Sequence, residues 1–144
     1  MATKRHPSLQ PLSRHHHHAL VVALHLIRQE LPSDELRSEL ERFWHNGGQE
    51  HFREEEEVLL PAYAKHAPLN RPEIVQLLLE HVQVRSMVSQ VCDEKRDDVM
   101  QELGKLLQSH VRNEEQVVFP MIEAALSESE LERLAPYFAE HYPG

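Results

Sequence analysis

The amino-acid sequence predicts an all-α protein, an antiparallel up-down-up-down four-helix bundle followed by a short C-terminal fifth helix. Three observations carry this expectation. Apolar residues recur at three- and four-residue spacing along four long stretches, the signature of helices with one buried face. Only four glycines occur in 144 residues, and no run alternates apolar with polar residues as a half-buried strand would. The links between the stretches are short, which makes successive helices antiparallel neighbours. The chain reads as one domain, residues 1–144, with a bundle core over about 12–126 and a tail helix over about 128–140.

The first helix is expected from about Ser13 to Leu31, with Leu20, Ala23, Leu24, Ile27 and Leu31 as its inner stripe. Pro32-Ser33-Asp34-Glu35 stops it and caps the second helix. That helix runs to about Lys65 but crosses Asn46-Gly47-Gly48, where a bend is expected, and Pro61, which predicts a kink or an early end. Asn70-Arg71-Pro72 opens the third helix, which turns Ile74, Leu77, Leu78, His81, Val84, Val88 and Val91 inward. A charged turn at 95–98 leads to the fourth helix, ending near Leu126. Ser127 with Glu130 forms a capping box for the fifth.

One motif is written twice on these helices. His51 is followed by Glu55 and Pro61, and His110 by Glu114 and Pro120, with a Glu at +4 and a Pro at +10 in both copies. Four residues advance a helix by about 400°, so each His and its Glu share a face. Phe52, Val58, Leu59 and Ala62 in one copy match Val111, Val117, Val118 and Met121 in the other, at +1, +7, +8 and +11. That spacing puts both carboxylates on the buried stripe. A carboxylate in an apolar core is costly unless something positive meets it. A single His–Glu pair is as readily a solvated surface pair; two of them in apolar register point to a metal.

The other helices offer completing ligands. His16 and His17, within His15-His16-His17-His18, flank the first helix's inner stripe, with His15 and His18 further out. His81 lies on the inner stripe of the third helix, between Leu78 and Val84. One site fed by four helices is how carboxylate-bridged metal pairs are built in bundles. Imidazole and carboxylate together suit iron, and also manganese or zinc. Arg53, Glu54, Glu56 and Glu57 read as solvated, Phe43 and Trp44 as packing at a bundle end, and Cys92 as core. His6, His25, His45, His66 and His141, with Tyr63, Tyr137 and Tyr142, receive no role.

From Leu12-Ser13-Arg14 to Met121 the chain resembles the hemerythrin-like, or HHE cation-binding, domains. His17-x-x-Leu20, His51-Phe52-x-x-Glu55-Glu56 with Leu60-Pro61, Glu80-His81 and His110-x-x-x-Glu114 carry the likeness. The resemblance implies a left-handed four-helix bundle around a non-heme di-iron centre. By position, it makes His17, His51, His81 and His110 terminal ligands and Glu55 and Glu114 bridges. His16 is the alternative on the first helix, and Glu115, at +5 and rotated by about 140°, the alternative to Glu114. Oxygen-carrying hemerythrins have another His one turn after the third-helix ligand, where this chain has Arg85, and their last carboxylate is an Asp at +5. The change leaves an open or water-filled position on one iron unless His16 or Glu80 fills it. The expected role is therefore reaction with O2, peroxide or NO, or iron or redox sensing, rather than bulk oxygen carriage.

Charge and cysteine content narrow the setting. A formal charge of −9 argues against nucleic acid, which needs clustered Lys and Arg. The single Cys92 cannot form an internal disulfide, and no stretch reads as a signal peptide or membrane span, so a cytoplasmic protein without a membrane partner is expected.

Overall fold

The computed structural model describes residues 4–138, and among them there is no strand. Four long helices and a short fifth form the predicted bundle. Helix α1 is Gln10–Arg28, and α2 spans 33–63 with two interruptions. Helix α3 is Pro72–Cys92, α4 spans 100–125 with one interruption, and α5 is Glu128–Leu134. Helix α1 packs on α2 and α4, and α3 packs on the same two, so the four close into a ring. None of the described helices is long and apolar enough to cross a membrane.

Helix α1 starts and ends three residues earlier than the sequence suggests. Pro11 lies in its first turn, where a helix needs no N–H donor, so it opens the helix instead of preceding it. Gln29 terminates it in the left-handed region, with its N–H on the His25 carbonyl. The capping box of α5 is reciprocal, as expected from Ser127 and Glu130. The expected end of that helix near residue 140, with His141 and Tyr142, lies outside the described residues.

The interruptions have readable causes. At Asn46-Gly47 the helical path breaks, and Gly47 takes φ 145°, which suits only glycine. At Glu55–Leu59 and again at Glu114–Val118 the helix widens to i→i−5 bonding, with Leu60 N–H on Glu55 O and Phe119 N–H on Glu114 O. Pro61 and Pro120 come next and have no N–H to donate. Each widened turn takes up one extra residue, so the buried positions downstream shift by one. The stripe expected at +7, +8 and +11 becomes +8, +9 and +12: Leu59, Leu60 and Tyr63, and Val118, Phe119 and Ile122. Val117, expected inside, is 39% exposed.

Two apolar cores result. Val22, Leu26, Leu36, Leu40, Val91 and Leu103 fill one end of the bundle. Leu9, Leu59, Tyr63, Ile74, Phe119 and Ile122 fill the other. Between them lies a polar layer of buried His and Glu. Helix α4 lies tight against α1 at Gly104, where a Cβ would stand 2.7 Å from the Ala23 carbonyl oxygen.

Candidate metal centre

Four helices contribute side chains to the polar layer: His16 from α1, His51 and Glu55 from α2, His81 from α3, and His110 and Glu114 from α4. All are at most 4% exposed. They form two overlapping clusters, His16-His51-Glu55-Glu114 and Glu55-His81-His110-Glu114, each with one donor atom per residue and all donors within 4.8 Å. Glu55 and Glu114 belong to both and stand between them. Glu55 reaches His51 Nε2 at 3.2 Å and His81 Nε2 at 3.1 Å. Glu114 reaches His110 Nε2 at 2.7 Å, His16 Nε2 at 3.7 Å and His81 Nε2 at 3.9 Å.

The first-helix position differs from the one the family pattern assigns. His17 is exposed and belongs to neither cluster, whereas His16 is buried and faces inward. From Ala19 to Ile27 the helix is apolar around most of its circumference, so sequence periodicity does not single out its inner direction. Packing on α2 and α4 buries Leu12, His15, His16, Ala19, Val22, Ala23 and Leu26. That face is rotated by roughly one residue, about 100°, from the one centred on Leu20, Leu24 and Ile27. His15, expected to point away, is consequently buried.

Every inward imidazole presents Nε2 to the layer and uses Nδ1 to anchor itself behind. His81 Nδ1 donates to Glu56 at 2.6 Å, and Arg85 holds Glu56 with two bonds of 2.8 and 2.9 Å. His110 Nδ1 donates to Glu80 at 2.8 Å, with Gln76 on the other oxygen at 2.9 Å. His16 Nδ1 donates to Glu115 at 2.6 Å, where Ser13 donates at 2.7 Å. His51 Nδ1 meets His15 Nδ1 at 3.1 Å. Aromatic rings fix the imidazole planes: Phe52 stacks on His81 with centroids 3.8 Å apart, and Phe119 on His16 at 5.5 Å.

Glu56 is therefore not part of a solvated face, and neither is Glu54, which is 5% exposed. Glu80 and Glu115 lie behind imidazoles instead of facing the centre. Arg85, at the position of the missing His, ties down Glu56. A signal for two of these partners was present in the sequence. Both copies of the motif read His-x-x-x-Glu-Glu, with the Glu at +4 turned inward and the Glu at +5 reaching a His on a neighbouring helix. Nothing in sequence spacing reveals the pairing of His15 with His51.

Arg5 completes the arrangement from outside. Pro120 leaves the Glu115 carbonyl in the widened turn without its amide, and Arg5 Nη2 donates to that oxygen at 2.7 Å. The same guanidinium bonds Glu123 at 2.5 Å, approaches the Glu115 carboxylate at 3.4 Å and lies over the Phe119 ring.

The layer's electrostatics are those of closely packed opposite charges. Burial and the neighbouring Glu114 push Glu55 well above the usual carboxylate range. Burial works against charge on Glu114 as well, yet His110, Glu55 and His16 together hold it well below that range. Burial works against charge on His110, yet Glu114 and Glu80 lift its pKa to about 9. Burial and the nearby His16 push His51 well below the ordinary imidazole value.

The residues present fit a metal pair. His16 Nε2, His81 Nε2, His110 Nε2, Glu55 Oε1 and both Glu114 oxygens are buried and make no hydrogen bond. Buried polar atoms are ordinarily satisfied, so inward donors left over on a single layer indicate a cation as their partner. Imidazole nitrogens anchored through Nδ1, together with carboxylates, are the donor set of borderline divalent metals.

A family model described as the hemerythrin HHE cation binding domain matches residues 11–122. No curated protein and no solved structure matches the chain with significance. The matched span runs from the first turn of α1 into the last turns of α4 and contains every inward-facing residue of the polar layer, so the chain belongs to the hemerythrin HHE cation-binding domain family.

Proposed function

We propose that this chain is a non-heme di-iron protein that reacts with, or responds to, a small ligand such as O2, peroxide or NO in the reducing cytoplasm. The observation that carries the reading is the pair of overlapping clusters sharing Glu55 and Glu114. Two clusters with common carboxylates suit two cations, because each bridging carboxylate offers one oxygen to each side and offsets charge on both. Zinc and manganese suit the same imidazole and carboxylate donors; iron is proposed on the likeness to hemerythrin domains.

Bound iron would supply redox chemistry and a position for a small ligand. His16 and His51 would hold one ion and His81 and His110 the other, each through Nε2. Glu56, Glu80 and Glu115 keep three of these rings oriented by accepting from Nδ1, which also makes Nε2 the better donor. Phe52 and Phe119 cover imidazole faces and exclude water. A cavity of about 10 Å³, room for roughly one water centre, lies beside His16, His51 and His110 against Phe43, Leu107 and Val111. It limits what can approach to molecules of a few atoms. Arg85 offers no donor, so His81 and His110 would be the two protein nitrogens holding that ion, which favours reactivity or sensing over bulk oxygen carriage.

The deciding measurement is metal content per chain of untagged protein, with an ultraviolet–visible spectrum recorded alongside. About two irons with an oxo-bridge absorption band support the proposal, and zinc or a single ion would remove its redox part. A folded chain that takes up no metal after anaerobic iron loading would reject it. Peroxide or NO turnover that depends on iron and disappears in Glu55→Ala would favour an enzyme over a sensor.

A further inference from the structure

The two halves of the polar layer are matched in their inward donors: two imidazoles each, and the same two carboxylates. They differ in what stands behind the imidazoles. In each half one His leans on a carboxylate held by an arginine: His16 on Glu115 beside Arg5, and His81 on Glu56 beside Arg85. The remaining difference lies at the two histidines of the repeated motif. His110 leans on the Glu80 carboxylate at 2.8 Å, and His51 on the imidazole ring of His15 at 3.1 Å.

The contact between His51 and His15 has room for only one proton between two Nδ1 atoms. For His51 to present a lone pair at Nε2, its Nδ1 must carry that proton and donate it to His15. An imidazole acceptor carries no net negative charge, so it polarises His51 less than Glu80 polarises His110. Partners behind metal-bound histidines commonly change metal affinity by about 10–100-fold. The surroundings differ less. The small cavity borders His110 as well as His15, His16 and His51, and only His81, fully buried and stacked on Phe52, lies off it.

Resting on the di-metal reading, we infer that the two positions are inequivalent: His81–His110 is the tight position that fills first, and His16–His51 is the weaker, exchangeable one. The difference is set by Glu80 and His15 behind histidines that are otherwise equivalent. The weaker position would load last and empty first when free metal falls, so the count of bound ions would follow metal supply while the bundle stays folded around the first.

The test is an anaerobic Co2+ titration of the full chain, followed by visible absorption and calorimetry, on the wild type and on His51→Ala, His81→Ala and Glu80→Gln. The wild type is expected to bind in two steps about 10–100-fold apart. His51→Ala should retain the tight step, and His81→Ala should lose it. Glu80→Gln, isosteric and at the edge of the layer, should weaken the first step by about 10-fold and leave the second unchanged; it also serves as the test if His81→Ala does not fold. Retention of the tight step in His81→Ala but not in His51→Ala would overturn the assignment, as would unchanged constants in Glu80→Gln. A folded wild-type chain that binds no Co2+ would instead reject the metal reading on which the inference rests.

Discussion

Replacing Arg5 with Met should destabilise the chain and disturb a metal position from just outside the polar layer. Arg5 is 118 residues away in sequence from Glu123, and its side chain is only 13% exposed. Its distinctive contact is with the Glu115 carbonyl, an oxygen that the widened turn and Pro120 leave without an amide donor. A buried acceptor left without a partner costs about 1–3 kcal/mol. The ion pair with Glu123, itself only 15% exposed, adds to that cost when its cation is removed, while the more exposed Glu115 adds little. A loss of about 2–3 kcal/mol follows, which for a chain of this size corresponds to a melting temperature lower by roughly 5–10 °C. Circular dichroism of the metal-free protein would measure it. Glu115 also loses its cationic neighbour while still holding His16, so Co2+ binding at the His16–His51 position should change while the other position does not. Arg5→Lys keeps the charge but not the fork, and is expected to recover only part of either effect. A melting temperature within 1 °C of wild type in Arg5→Met would show that the carbonyl is satisfied some other way, and would refute the reasoning.

Three more outcomes follow from the same geometry. His16→Ala should lower metal content per chain and His17→Ala should leave it intact; equal effects would put the inner face of α1 elsewhere. Gly104→Ala should destabilise by about 1–2 kcal/mol, overpacking outweighing the helix propensity gained. The Cβ would meet the Ala23 carbonyl oxygen at 2.7 Å, and backbone there cannot step aside; a more stable variant in denaturant melts would contradict this. Glu56 resists burial through its bonds from His81 and Arg85, which bring its pKa to about 2. A depressed carboxylate pKa stabilises the fold above its ordinary value of 4.5, and that contribution fades as pH falls through about 2. Glu56→Gln should therefore be about 1–2 kcal/mol less stable at pH 5, allowing for solvent screening, with the gap closing toward pH 2. A gap independent of pH would assign the loss to packing.

The elements themselves were legible in the sequence because helix periodicity, proline openings and capping chemistry are local. Pro32, Pro72 and the Ser127–Glu130 box mark boundaries that the fold keeps, and Asn46-Gly47 marks a real break. The two His–Glu pairs were legible for the same reason, since four residues on one helix fix their relative direction whatever the neighbours do. The widened turns were not. A proline at +10 signals a disturbance, but whether the helix kinks, ends or takes in a residue depends on which choice lets Leu60, Tyr63, Phe119 and Ile122 reach the core.

By itself, the sequence determined an all-α bundle with a doubled His–Glu motif turned inward on α2 and α4. Only the tertiary structure decided that His16 and not His17 joins the layer, because a helix apolar nearly all round acquires an inside only when its neighbours are packed against it. Only the tertiary structure could pair His81 with Glu56, His110 with Glu80 and His51 with His15. Those bonds run between helices, and the direction of a side chain across an interface is set by packing, which local periodicity does not encode.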